Sequence, residues 1–505
     1  MNTMKKKIIY LGCLIALLLA TSCSDSFLNV ESPDKESIDE YYNSQSRIFE
    51  ALVAAYGPLE WFDYSFGEYN PILTMSDIMA DDVWVGGADR TDNKFWHLMA
   101  NYEALPTQVM TNAWTTCYSG INRSNNVMYY MSDVKSIPDA TKNLYIAEAK
   151  VLRAYYYTIL WKFWGNIPYY TKNLSYPYIQ PQSKADEVYA GIIADLDDAI
   201  KNGGLPMKAD ESEYGRVTLA MVYMLYAEVV MYQNDTSKYD TALQYMNNII
   251  SSGKYQLVSN YDSIWTKSGE WCDESIWEIN YKNEGAIRSW GNPQAAGGTV
   301  LPRLISPKDW ADGTAGRDNG WAFEPVRKET YNIFEAGDTR RNATIFDASK
   351  YTYTKRYEDT GYFLNKYMAR TGYNAGQKAD ADLNYGNNLR IYRYSETLLN
   401  AAELLVRGAK GTGNAKTYLN MVHSRSGLTD VVDATIDNIL QERRWEFVGE
   451  GKRYWDLIRT GNAAKVLVPD TYGYRTNSWT DKKKYLPIPQ GEIDAAQGTL
   501  TQNNY

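Results

Sequence analysis

Histidine is almost missing from this sequence. His97 and His423 are the only two in 505 residues. Neither H-E-x-x-H nor G-x-S-x-G occurs, so the helical zinc-peptidase site and the nucleophile elbow are excluded. Cysteine is nearly as scarce, at Cys13, Cys23, Cys117 and Cys272 with no C-x-x-C pair, so this is no disulfide scaffold. Positive charge is in deficit, with 52 Lys and Arg against 61 Asp and Glu and a net charge of -9. An acidic surface argues against nucleic acid and polyanionic substrates as main partners. Phenylalanine is sparse too, at 11 against 44 Tyr and 15 Trp. Tyr and Trp carry an apolar face and a polar handle, which suits half-wet surfaces that contact polar ligands.

The longest apolar run stands at the start. Lys5-Lys6-Lys7 precede IIYLGCLIALLLA at residues 8–20. That core is shorter than the ~20 residues a spanning helix needs, so residues 1–22 read as a signal peptide. Ala20-Thr21-Ser22-Cys23 looks like a bacterial lipobox, with Ala20 where leucine is commonest, and Cys23 is the expected lipidated residue. Removing Lys5, Lys6 and Lys7 with the leader shifts the charge from -9 to about -12. No later segment is long and apolar enough to span a bilayer, so lipid alone is the expected anchor.

Helical periodicity dominates the chain beyond the leader. Residues 140–162 place Leu144, Ala147, Val151, Ala154, Tyr155, Thr158 and Ile159 on one stripe, punctuated by Pro138, Gly165 and Pro168. Residues 184–201 carry Val188, Ile192, Leu196 and Ile200 four apart. RVTLAMVYMLYAEVVMY with YDTALQYMNNIISSG makes a helical hairpin, with Ala220, Ala227 and Ala242 at the expected contacts. RIYRYSETLLNAAELLVRG with NAKTYLNMVHSRSG repeats the arrangement. Such pairs resemble degenerate tetratricopeptide repeats interrupted by insertions. The sequence divides into the leader 1–22, an N-terminal region 23–215, a central hairpin 216–261 and a C-terminal region 262–505, forming one composite unit. Residues 262–388 differ. ESIWEINY alternates like a short strand, and the Gly-, Pro- and Asp-rich stretch after it carries Trp290, Trp310 and Trp321, which argue against disorder.

The most specific motif lies near the end: ERRWEFVGEGKRYWDLIRTG at residues 442–461, then YLPIPQGEID and a closing LTQNNY. Together with AEAKVLRAYYYTILWKFWGNIPYY, these segments resemble the SusD/RagB family of outer-membrane lipoproteins from Bacteroidetes. NNY stands where that family commonly closes on Asn-Pro-Gly-Tyr. The resemblance implies a mainly α fold: a tetratricopeptide-like helical hairpin scaffold with a large irregular, loop-rich ligand-binding half and a few short strands. It implies a surface lipoprotein, facing the cell exterior, that binds an oligosaccharide or polysaccharide without cofactor or catalysis. It also implies delivery to a TonB-dependent, SusC-like transporter barrel on which the protein sits as a lid. The alternatives are peptide cargo, as in the RagB branch, and a surface glycoside hydrolase. Glu442, Arg443, Arg444, Glu446, Glu450, Arg453 and Asp456 alternate in sign, and are read as a structural ion-pair network.

Residues 77–96, DIMADDVWVGGADRTDNKFW, set Trp84 before Gly86-Gly87 among Asp77, Asp81, Asp82, Asp89 and Arg90. Local chemistry specifies a surface loop. An exposed indole can stack on the apolar face of a sugar while charged neighbours bond its hydroxyls. Family sites draw on the loops matching residues 61–96 and about 283–325 here. Trp84, Asp77, Asp81, Asp82 and Arg90, with Trp290, Trp310 and Trp321, are therefore the expected ligand contacts. Trp96 and Trp277 are assigned to the core, and Trp161, Trp164, Trp445 and Trp455 to the scaffold. A glycosidase would need two carboxylates in opposed roles, for which Asp81, Asp82 and Glu324 stand as candidates. GAKGTGNAKT lacks the Gly-Lys of a phosphate loop and reads as a turn between helices. DADLNYG resembles a calcium loop with its glycine displaced and Ile391 in place of the bidentate Glu, so no metal is expected there.

Overall fold

A computed structural model describes residues 41–132, 134–310 and 316–505. The leader 1–22, the lipidation residue Cys23 and residues 311–315 of the irregular segment lie outside the described residues.

Helices α1 (Gln45–Tyr56), α2 (Thr111–Met131), α3 (Asp139–Trp164), α4 (Ala185–Asn202), α5 (Leu219–Gln233) and α6 (Tyr239–Ser251) are followed by α7 (Tyr394–Val406) and α8 (Ala415–Arg425). Helix α1 packs on α2, and from there each packs on the next through to α8, as a solenoid of helical hairpins requires. Helix α5 is buried all round apart from Leu219, Glu228 and Gln233, and Thr218 caps its start by accepting from the Met221 N–H. Helix α6 buries a single stripe, Tyr239, Ala242, Leu243, Met246 and Ile249. The alanines expected at helix crossings, Ala220, Ala227 and Ala242, are fully buried. Where α2 meets α3, a Cβ on Gly120 would lie 2.2 Å from the Tyr156 ring, so only glycine permits that approach. Among the described residues no helix is long and apolar enough to cross a membrane.

Strand β1 (Ser275–Ile279) pairs antiparallel with β2 (Leu389–Arg393). The pair departs from expectation twice. All five residues of β1 are buried instead of alternating, because it lies inside the molecule. RIYR, read as the opening of a helix, completes this ladder, and the helix starts at Tyr394.

Helices α9 (Ile436–Phe447) and α10 (Arg453–Arg459) carry the charged motif, and its Glu442, Arg443, Glu446, Glu450 and Asp456 are buried. Glu446 accepts from Arg340, Arg393 and Arg425, while Glu450 accepts from Lys366 and Arg393. Burial opposes ionisation of Glu446, yet the three guanidinium groups hold its pKa well below the usual carboxylate range. Removing one partner from such a cluster costs about 3–5 kcal/mol. These residues tie the C-terminal helices to the irregular half. Trp96, Trp277, Trp161, Trp164, Trp445 and Trp455 are all buried, as assigned.

Candidate functional site

The loop around Trp84 is an interior segment. Trp84 is 4% exposed, and its N–H donates to the Pro325 carbonyl at 2.8 Å. The N–H groups of Gly86 and Gly87 donate to Phe323 and Ala322, so residues 82–87 lie along 322–327. A Cβ on Gly86 would stand 1.9 Å from the Ala322 oxygen. The glycines serve close backbone approach, not a surface turn. The Arg327 guanidinium covers the indole at 3.4 Å from its centroid, and Tyr474 and Tyr472 meet it edge-on.

The carboxylates expected beside it are committed elsewhere. Asp81 pairs with Arg444 and Arg453, and Asp82 with Arg444, both arginines from the C-terminal motif. Asp77 accepts from the Gly451 N–H and is buried beside Glu324, whose side chain accepts from Thr74. Burial pushes Glu324 up to about 8, and burial and then Glu324 raise Asp77 well above its ordinary range. Arg90 is exposed, and with Trp84, His97, Glu358 and Tyr474 it borders a small pocket. Trp310 is buried at 7% exposure in a small local core against Phe346 and Tyr351. Trp84, Asp77, Asp81, Asp82 and Trp310 are thus structural and do not form an exposed sugar platform.

Trp290 and Trp321 do come together. Trp290 is 38% exposed on the Ser289–Asn292 turn, and the half-buried Trp321 lies 6.3 Å from it with planes 28° apart. Tyr69 meets both indoles edge-on, at 6.4 and 5.9 Å. Tyr64 completes the cluster, 4.8 Å from Tyr69 and 5.1 Å from Trp290. Arg303 lies 6.0 Å over the Trp321 ring and pairs with Asp382 at 3.1 Å. Phe66 and Ile287, on the same two segments, are exposed.

Arg288 joins the two segments that carry the rings. Its guanidinium spans the buried Asp63 carboxylate at 3.0 and 2.7 Å and donates to the carbonyls of Tyr64, Pro293 and Gly298. All five donors are used. The calcium-like stretch is part of the same brace. Asp380 accepts from the Trp290 N–H at 2.9 Å, and Asn384 donates to the Arg288 carbonyl and accepts from the Gly298 N–H. The side chains of Trp290, Trp321, Tyr64 and Tyr69 reach no hydrogen-bond partner among the described residues, which leaves two indole N–H groups and two hydroxyls for a ligand. Sequence reasoning missed Tyr64, Tyr69, Arg303, Asp380 and Asp382. The density of rings in WFDYSFGEY was the available signal for the first two.

Residues 339–505 match the model of the SusD family, and residues 26–231 match one described as starch-binding associating with outer membrane. Surface glycan-binding protein A from Bacteroides thetaiotaomicron, in its complex with laminarihexaose, is 57% identical with a TM-score of 0.89, covering 91% of this chain and all of that one. A laminarin-binding SusD-like protein is 30% identical with a TM-score of 0.81, covering 92% of this chain and 99% of its own. A SusD-like protein of Bacteroides ovatus is 24% identical over 507 residues, 94% of this chain and 86% of that protein. With this resemblance along nearly its whole length, and the Glu-Arg motif near its end, the chain belongs to the SusD family.

Proposed function

We propose that this protein captures a glycan at the cell surface, on the rings of Tyr64, Tyr69, Trp290 and Trp321, and does not cleave it. The observation that carries the reading is this four-ring cluster, open to solvent at Trp290, with unpaired donors at its edges and a rigid brace beneath. Aromatic faces match the C–H faces of pyranose rings, and Asp382 with Arg303 suits the hydroxyl rim. Since a relative 57% identical binds laminarihexaose, a laminarin-type β-1,3-glucan is the proposed cargo. Non-catalytic capture is supported by the fate of the acids, because Asp81, Asp82 and Glu324 sit in the interior against their structural partners. In the same reading Cys23 carries the lipid, and the protein passes cargo to a TonB-dependent outer-membrane transporter over which it closes.

Calorimetry with laminarihexaose tests the capture step. Binding by the intact protein, unchanged chain length after prolonged incubation, and release from the outer membrane on Cys23→Ala are the expected results. Reducing ends accumulating in proportion to protein would establish the hydrolase instead.

A further inference from the structure

A cavity of about 570 Å³ lies away from the ring cluster, between α2, residues 168–180 and α11 (Gln490–Ala495). None of Tyr64, Tyr69, Trp290 or Trp321 lines it. Its volume falls in the range of small-molecule sites, about 300–1,000 Å³. One wall is a stripe of α2, where Thr115, Ser119 and Asn122 recur at helical spacing, and Gln180 lines the same cavity. None of these four side chains makes a hydrogen bond among the described residues, so the cavity holds a set of unused donors and acceptors.

Aromatic faces form the rest. Tyr118 and Tyr170 lie 6.0 Å apart with planes 15° from parallel. The Tyr118 hydroxyl donates to the Pro168 carbonyl, whereas the Tyr170 hydroxyl has no protein partner among the described residues, and burial pushes it up to about 12. Tyr178 stands 69% exposed at the rim with its backbone in the left-handed region at φ 60°, an unusual state for a bulky residue. Charge is muted. Arg123 donates to the Ala54 carbonyl and covers Trp61, and burial raises the pKa of Glu492, which accepts from Trp114.

We propose that this cavity is a second binding site, for a neutral saccharide of about disaccharide size, independent of the ring cluster. Tyrosine faces with an uncharged rim of hydroxyls and amides suit a sugar and disfavour an anion or a cation. A glycan chain presents units of this size at its ends and branches, so a second contact on one captured polymer raises the overall avidity without a stronger first site. The inference goes beyond capture on the rings and stands on its own geometry.

The test uses the full protein with Trp290→Ala, to weaken the ring cluster, and saturation-transfer NMR with laminaribiose, gentiobiose and maltose. At least one disaccharide should still bind. Adding Tyr178→Ala should weaken it tenfold or more, and Ser119→Arg, which fills the cavity, should abolish it. Tyr178 is exposed, so its variant decides the matter even if Ser119→Arg fails to fold. The proposal is overturned if none of the three disaccharides binds the Trp290→Ala protein, or if binding ignores both cavity variants. It is equally overturned if Ser119→Arg releases a co-purifying barrel protein while no disaccharide binds, which would assign the cavity to the transporter. Retained disaccharide binding alongside a tenfold or greater weakening of laminarihexaose in Trp290→Ala separates this site from the ring cluster.

Discussion

Trp84 and Trp290 each stand one or two residues before glycine, one in VWVGG and the other in SWGNP. One is core and the other is the open edge of the ring cluster. What separates them is long-range pairing. The chain around Trp84 is zipped to residues 322–327, and its acids are claimed by Arg444 and Arg453, more than 350 positions later. The Trp290 backbone N–H donates to Asp380, and its ring finds other rings instead of a covering chain. Fixing the backbone while leaving the side chain open is what a binding platform needs.

The harshest way to break the contrast is to remove the brace. Arg288→Met should leave Asp63 buried and unpaired, costing about 3–5 kcal/mol of stability, and should release the Tyr64 and Trp290 segments from each other. Melting temperature and laminarihexaose affinity should therefore fall together. A stable variant with intact affinity would show that the rings need no common brace.

The two tryptophans can then be set against each other directly. Trp84→Ala should cost about 3–5 kcal/mol as a core truncation and leave the affinity of the folded fraction unchanged. Trp290→Ala should hardly move the melting temperature, while weakening laminarihexaose roughly tenfold to a hundredfold, by analogy with stacking on bases. Reversed outcomes would restore the loop at 77–90 as the binding region.

The helices were legible because their information is local. The stripes at 140–162 and 184–201 match α3 and α4, whose observed limits, 139–164 and 185–202, differ from them by at most two residues. Sign alternation around Glu442–Asp456 also identified the ion pairs, since so many charges spaced along a helix require partners. Trp84 was not legible, because Gly86-Gly87 signals a turn and a buried close approach in the same way, and only the distant Ala322 distinguishes them. The ring cluster was half legible. Trp290 and Trp321 lie in a segment whose composition marks it, but Tyr64 and Tyr69 join them through Asp63 and Arg288, a contact across 225 positions.

A milder test addresses the acids of the buried region. Glu324 has its pKa raised to about 8 by burial, and beside it Asp77 is raised by burial and by Glu324. A raised folded-state pKa means the native protein keeps a proton that the unfolded chain releases. The stability that the protonated Glu324 contributes is therefore fully present below about pH 4.5, and is lost as pH rises towards 8. Glu324→Gln cannot ionise, so its melting temperature relative to the parent should rise between pH 5 and pH 8, by several degrees. A pH-independent difference would mean that the pair does not titrate in that window.

The smallest expected effect lies at Asp380, and it tests how the exposed region differs from the buried one. Its carboxylate accepts from the Trp290 N–H at 2.9 Å and is itself half-buried, so solvent takes up part of the loss when it is removed. A hydrogen bond to a charged group is worth about 1.5–3 kcal/mol when well buried, and here about 1 kcal/mol is the reasonable figure. Asp380→Ala should therefore lower laminarihexaose affinity roughly fivefold, with the melting temperature nearly unchanged, because Arg288 and Asn384 still hold the segment. Asp380→Asn keeps an acceptor and should recover most of the loss. If alanine and asparagine both reduced affinity as far as Trp290→Ala does, the carboxylate would be touching the glycan itself, and the aspartates sought around Trp84 would have their true counterpart here.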